Sequence, residues 1–218
     1  MNLEQIKVYL DSEDPQERMK GIRELRHYES ETAIPLLLAH IKDREFLVRS
    51  FVAMGLGRKQ SAESFAALLE MTKLDSDPNV RAEAANSLSL YGDVAASHLT
   101  LMFERDEHWL VRRSIIAALM ELSCSQELFE VCVIGLEGED QTVRESCINC
   151  LSRFADTDRE NAALEKLLPL VEDEYWRSRM QVARSLGKFN SPQAIEALKK
   201  LREDKDHRVV GAVLESLV

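Results

Sequence analysis

Four cysteines fall within 27 residues: Cys124, Cys132, Cys147 and Cys150. Cys147 and Cys150 form a C-x-x-C pair. In a thiolate-rich cluster that spacing suits zinc or an iron–sulfur centre. Five histidines (His27, His40, His98, His108 and His207) add imidazole, but none is followed by Glu. A helical-repeat di-iron hydroxylase needs repeated His-Glu pairs, so that chemistry is not expected. No Gly-rich phosphate loop and no G-x-S-x-G nucleophile turn is present. A third set is more numerous: Arg18, Arg49, Arg81, Arg112, Arg144 and Arg179, each preceded by Asp at four or six residues. An acid–base pair would occur once. A pair that recurs in six places reads as structure, with Asp capping helices and Arg joining neighbours through charge-assisted bonds.

That recurrence reveals the architecture. The six arginines, with Val210 in a seventh place, stand 31 to 35 residues apart. Seven residues after each comes leucine: Leu25, Leu56, Leu88, Leu119, Leu151, Leu186 and Leu217. A period near 30 held along the chain is the signature of a solenoid. Counted from the aligned Arg, positions −1, +3, +4 and +7 are mostly apolar or small, as in Val111, Ile115, Ile116 and Leu119. This is one face of an amphipathic helix. Position +6 is small (Gly55, Ser87, Ala118, Cys150, Ser185), which permits close helix approach. Cys147 and Cys150 occupy +3 and +6, so both are expected in the packing layer as small apolar residues. No metal site is therefore predicted. Cys124 follows a helix and is the best candidate for an exposed thiol.

The pattern predicts a first helix at 3–10 and leading helices near 31–42, 61–74, 94–104, 126–137, 160–172 and 192–203. The second helix of each pair is expected to open at Asp14, Asp43, Asp77, Asp106, Asp140, Asp173 or Asp206. The Asp-to-Arg distance alternates between four and six, which suggests a super-period of two repeats. The expected fold is all-α: a right-handed α-solenoid of about seven short helix pairs, forming one domain over 1–218.

Net charge is −10, from 28 basic and 38 acidic side chains, so nucleic acid is an unfavourable partner. No apolar run reaches a membrane span, and the first residues lack a secretory pattern, so a cytoplasmic location is expected.

Paired short helices with D-x-x-V-R opening the second resemble HEAT repeats. The carrying residues are Asp43 with Val48-Arg49, Asp77-Pro78-Asn79-Val80-Arg81, Asp106 with Val111-Arg112, and Asp140 with Val143-Arg144. The run Val48-Arg49-Ser50-Phe51-Val52-Ala53-Met54-Gly55-Leu56-Gly57 is similar to the cyanobacterial phycobilin lyase and phycobilisome-degradation group. That resemblance implies binding of phycobiliproteins, with a bilin as ligand rather than a resident cofactor, and leaves bilin attachment or detachment as the implied activity. It supplies no catalytic residue. A general protein-interaction scaffold is the alternative.

The residues themselves supply two candidate binding features. Second-helix positions +1, +5 and +8 or +9 should form an exposed concave surface carrying Arg23, Met54, Arg58, Asn86, Arg113, Asn149, Arg153 and Arg184. This suits an acidic protein or a carboxylate-bearing ligand. Phe46, Trp109 and Trp176 share position −3. They either cap the gap between adjacent repeats or form an aromatic edge for a partner. The last helix, through Val209, Val213, Leu214 and Leu217, is expected to leave apolar surface that drives homodimerisation or partner docking.

Overall fold

A computed structural model of the protein describes residues 1–216. Among them every regular element is helical. The α-helices are α1 (Leu3–Leu10), α2 (Pro15–Glu24), α3 (Ser30–Leu38), α4 (Phe46–Arg58), α5 (Ala62–Leu74), α6 (Pro78–Ser89) and α7 (Ala96–Arg105). They continue as α8 (Trp109–Met120), α9 (Ser125–Glu137), α10 (Gln141–Leu151), α11 (Glu160–Leu167), α12 (Trp176–Leu186), α13 (Pro192–Leu201) and α14 (His207–Ser216). The fold is an α-solenoid of seven helix pairs in which each even-numbered helix carries the repeated Arg position. The chain forms two compact units, Met1–Glu127 and a second that begins at Leu128. Among the described residues no helix is long and apolar enough to cross a membrane.

The predicted apolar face is the core. In α8 of the first unit, Val111, Ile115, Ile116 and Leu119 are buried; in α12 of the second, Val182, Ala183 and Leu186 are. Leucine at +7 is buried in all six described repeats, and Leu217 lies outside the described residues. Fully burying one such side chain contributes about 1.5–3 kcal/mol, which a short helix of low intrinsic stability needs.

Helix starts follow two rules. Asp14 and Asp77 accept the backbone N–H two residues on, at 2.9 and 2.8 Å, and each precedes Pro at the first helical position. Asp140 caps α10 through the Val143 N–H at 2.9 Å. Asp206 stands directly before α14 as expected and accepts the Arg208 N–H at 3.0 Å. The three remaining openings are corrected. Asp43, Asp106 and Asp173 lie three residues before α4, α8 and α12, which follow Glu45, His108 and Tyr175. The Asp at −6 and the cap at −4 are separate positions, two residues apart.

Adjacent even-numbered helices approach closely at +8. A methyl group on Gly57 would lie 2.7 Å from Ser87 Cβ, and Gly187 meets Ser216 in the same way. No rotamer of a larger side chain relieves a clash made by Cβ itself. Gly57→Val is therefore expected to destabilise by about 1–3 kcal/mol. A shifted urea midpoint at unchanged slope would show it.

Of the four apolar residues named for the final helix, three lie within the described residues. Val209 and Val213 pack inside the second unit, whereas Leu214, at a position buried in the other repeats, is 48% exposed.

Candidate binding surface

The repeated arginines form a ladder. In the first unit Arg18 meets Asp43, Arg49 meets Asp75, and Arg81 meets Asp106, with Nε–Oδ2 distances of 2.7, 2.7 and 2.6 Å. The second Arg nitrogen, Nη2, reaches Oδ1 at 2.8, 2.9 and 3.2 Å, so each contact is a two-point fork. In the second unit Arg179 meets Asp204 at 2.6 and 2.9 Å, and Arg144 reaches Asp173 through Nη2 alone at 2.7 Å. Nη1 of Arg18, Arg49, Arg81 and Arg179 donates to the carbonyl six residues earlier. Each carboxylate also accepts the N–H two residues on. Apart from Arg144 Nε, which is buried without a partner, the donors and acceptors named here are engaged within the frame, as a structural ladder requires. Arg112 departs from it: its Nε donates to the Asp106 carbonyl, and its guanidinium lies 5.1 Å from the Phe103 ring centre.

Arg179 holds the Asp204 carboxyl below its ordinary range through hydrogen bonds that outweigh burial. Asp43 is also lowered: burial pushes it up, but Arg18 and the Glu45 N–H more than offset this. A depressed carboxylate stabilises the fold above the unfolded pKa, near 4. It loses that contribution as pH falls through the folded value. Helicity is therefore expected to hold from pH 7 to about pH 5 and to fail cooperatively below about pH 4. Circular dichroism against pH checks this.

The cysteines are packing residues. Cys132, Cys147 and Cys150 are fully buried. Hydrogen bonding with Cys147 and Cys150, together with burial, pushes the Cys132 thiol well up, so thiolate chemistry is suppressed there. Cys124 is not an exposed thiol. The turn after α8 folds back on the helix, leaving Cys124 6% exposed with Sγ 3.5 Å from the Leu119 carbonyl. Among the described residues no group of three or more His, Cys, Asp or Glu is arranged to hold a metal ion.

The candidate surface residues fare differently. Arg23, Arg58, Asn86, Arg113, Asn149, Arg153 and Arg184 are exposed, and Met54 is half-buried. In the first unit Arg23, Met54 and Arg58 line one cavity of about 180 Å³ between α2 and α4; Asn86 and Arg113 lie outside it. In the second unit Arg184 pairs with Glu215 at 3.2 Å. Both partners are solvated, so that pair contributes little.

The aromatic residues at −3 have unlike surroundings. Phe46 is half-buried. Trp109 is 41% exposed and stacks on His108 with ring centres 6.0 Å apart. Trp176 is covered: the Arg208 guanidinium lies 3.3 Å from its ring centre and Arg177 4.8 Å. Asp206 fixes Arg208 at 2.9 and 2.7 Å. Sequence reasoning also missed an open groove of about 850 Å³ in the first unit, with Leu69, Thr72, Leu101 and Met102 flanked by Lys73 and Arg105. The only signal for it was an apolar residue, Leu101, on the outer side of α7.

A sequence profile described as HEAT repeats matches residues 3–73, 40–120 and 129–218. A deoxyhypusine hydroxylase from Neurospora crassa is 38% identical over 93 residues. That stretch covers 40% of this chain and 29% of the hydroxylase, so the chain spans under a third of that curated relative. Among solved structures, the complex of CpcE and CpcF of phycocyanin lyase from Nostoc sp. PCC7120 aligns with a TM-score of 0.55 at 19% identity. It covers 100% of this chain and 95% of that one. An engineered protein aligns with a TM-score of 0.54 at 18% identity, covering 100% and 68%. At these identities the structural likeness speaks to the fold. The helix pairs, the Arg–Asp ladder and a profile that matches nearly the whole sequence lead to one assignment: the chain belongs to the HEAT-repeat family.

Proposed function

We propose that this HEAT-repeat protein binds an acidic protein partner of the phycobiliprotein class through the exposed Arg and Asn side chains of its even-numbered helices. The carrying observation is a local charge inversion. In a chain of net charge −10, positions +5 and +9 present Arg23, Arg58, Arg153 and Arg184, with Asn86 and Asn149, against two carboxylates, Glu121 and Glu215. Charges more than about 8–10 Å apart are largely screened at physiological salt, so a partner meets the local cations rather than the total charge. Arg also offers a planar fork matched to carboxylates.

The partner class rests on the resemblance of residues 48–57 to the phycobilisome-degradation group. The fold shared with a phycocyanin lyase complex is compatible with it. A bilin carries propionates and a conjugated π-system, both suited to Arg and exposed aromatic side chains. Bilin attachment or detachment is therefore the chemistry to test. The purified protein is mixed with phycocyanin, then followed by gel filtration and visible absorption. Co-elution with an altered spectrum is the expected result. Co-elution with an unchanged spectrum would favour a scaffold without ligand chemistry. Separate elution would overturn the reading.

A further inference from the structure

The cavity between α2 and α4 pairs an apolar floor with a cationic rim. Its floor is apolar: Ile22, Leu25 and Leu37 are buried, with Phe51 and Met54 beside them. Gly55 permits this shape, because a methyl group there would lie 2.8 Å from Leu37 Cδ2. Its rim is cationic, with Arg23, Arg26, Arg58 and Lys59, and no carboxylate is among its lining residues. Two of these cations are engaged. Lys59 Nζ donates to the Arg26 carbonyl at 3.1 Å and to the Tyr28 carbonyl, and Arg26 Nε donates to His27 Nε2 at 3.0 Å. Arg23 and Arg58 are exposed, and among the described residues neither holds a hydrogen bond or a close ion pair. Arg58 also feels the half-buried Glu83 carboxyl, which burial pushes up and Arg58 pulls down; Glu83 is not among the lining residues.

We propose that this cavity captures the C-terminal residue of a protein partner, with the apolar side chain on the floor and the terminal carboxylate against Arg23 and Arg58. The inference rests on the protein-binding reading above and adds a subsite to it. Size selects the occupant. A volume of about 180 Å³ is roughly six waters at about 30 Å³ each, which is one medium side chain rather than a peptide segment. Chemistry selects it too. An Asp or Glu side chain has too little carbon to cover the floor, and an internal Leu or Phe has no anion for the rim. A chain terminus carries an apolar side chain and a carboxylate on the same carbon, and capture of that group is an established recognition mode. Arg guanidinium forks fit it in two-point contacts.

The test uses the full chain, labelled with nitrogen-15, titrated with three probes at millimolar concentration. These are N-acetylleucine, N-acetylleucinamide and 4-methylpentanoate. N-acetylleucine is expected to shift amides of α2 and α4 around Gly55. Amidation, or the Arg23→Gln/Arg58→Gln variant, is expected to weaken the shift at least about tenfold. That variant leaves the buried floor intact, and an unchanged spectrum elsewhere confirms its fold. Equal binding of the amide, or wild-type binding by the variant, would overturn the proposal. Tighter binding of 4-methylpentanoate than of N-acetylleucine would overturn the chain-terminus assignment in favour of a free apolar acid. No shift with any probe would also overturn it. Co-elution with phycocyanin would remain in that case, so loss of the subsite is distinguishable from loss of the protein-binding reading.

Discussion

Arg179→Ala is expected to lower stability by about 3 kcal/mol, among the largest effects of any single ladder substitution. Truncating one partner of a buried ion pair costs about 3–5 kcal/mol, mainly because the other charge is left desolvated and unpaired. Arg179 and Asp204 side chains are only 6% and 9% exposed. The same guanidinium also holds the carbonyls of Asp173 and Glu174 ahead of α12. The pair lies close enough to the surface for water to reach the orphaned carboxylate, which places the loss at the lower end of that range. Arg179→Ala/Asp204→Ala should recover part of it, since no charge is then left alone. Arg81→Ala should lose less, about 1–3 kcal/mol, because Arg81 is 17% exposed and its second contact is longer, at 3.2 Å. Urea melts of each unit's variant decide the matter. An unchanged midpoint for Arg179→Ala would mean that the ladder does not hold the repeats.

The two tryptophans should part company. Trp109→Ala is expected to weaken phycobiliprotein binding by about 1–2 kcal/mol, near tenfold, with helicity unchanged, because an exposed aromatic at an interface is a frequent anchor. Trp176→Ala is expected to lower stability by about 1–2 kcal/mol and leave affinity nearly intact, since its ring is held under Arg208. Affinity by calorimetry and stability by urea melts separate the two. Wild-type affinity in Trp109→Ala would remove that ring from the binding surface.

Much of the fold was legible because repetition averages out local ambiguity. The face at −1, +3, +4 and +7 and the leucine at +7 recur with the helical period, and the structure buries them. The aspartates were harder. Asp75 and Asp204, six residues before Arg81 and Val210, are the ladder partners, yet the nearer Asp77 and Asp206 drew the alignment. The apparent alternation of four and six came from merging two positions. Counting back six from the seven aligned positions would have exposed the ladder, since five of them then give Asp43, Asp75, Asp106, Asp173 and Asp204. The surface was partly legible. Arg23 and Arg58 followed from helix position, whereas Arg26, Lys59 and the floor under them come together only through packing of α2 against α4. The contrast between Trp109 and Trp176 was invisible in one repeat's pattern, because it depends on Arg208, which the next repeat supplies.

The most direct test of the functional account is a calorimetric titration of phycocyanin into the wild-type protein and into Arg23→Glu/Arg58→Glu, each at low and high salt. The account predicts binding by the wild type that weakens as salt rises, and a loss of more than about tenfold on charge reversal. Equal affinity for the two proteins, or no heat of binding with the wild type, would contradict it.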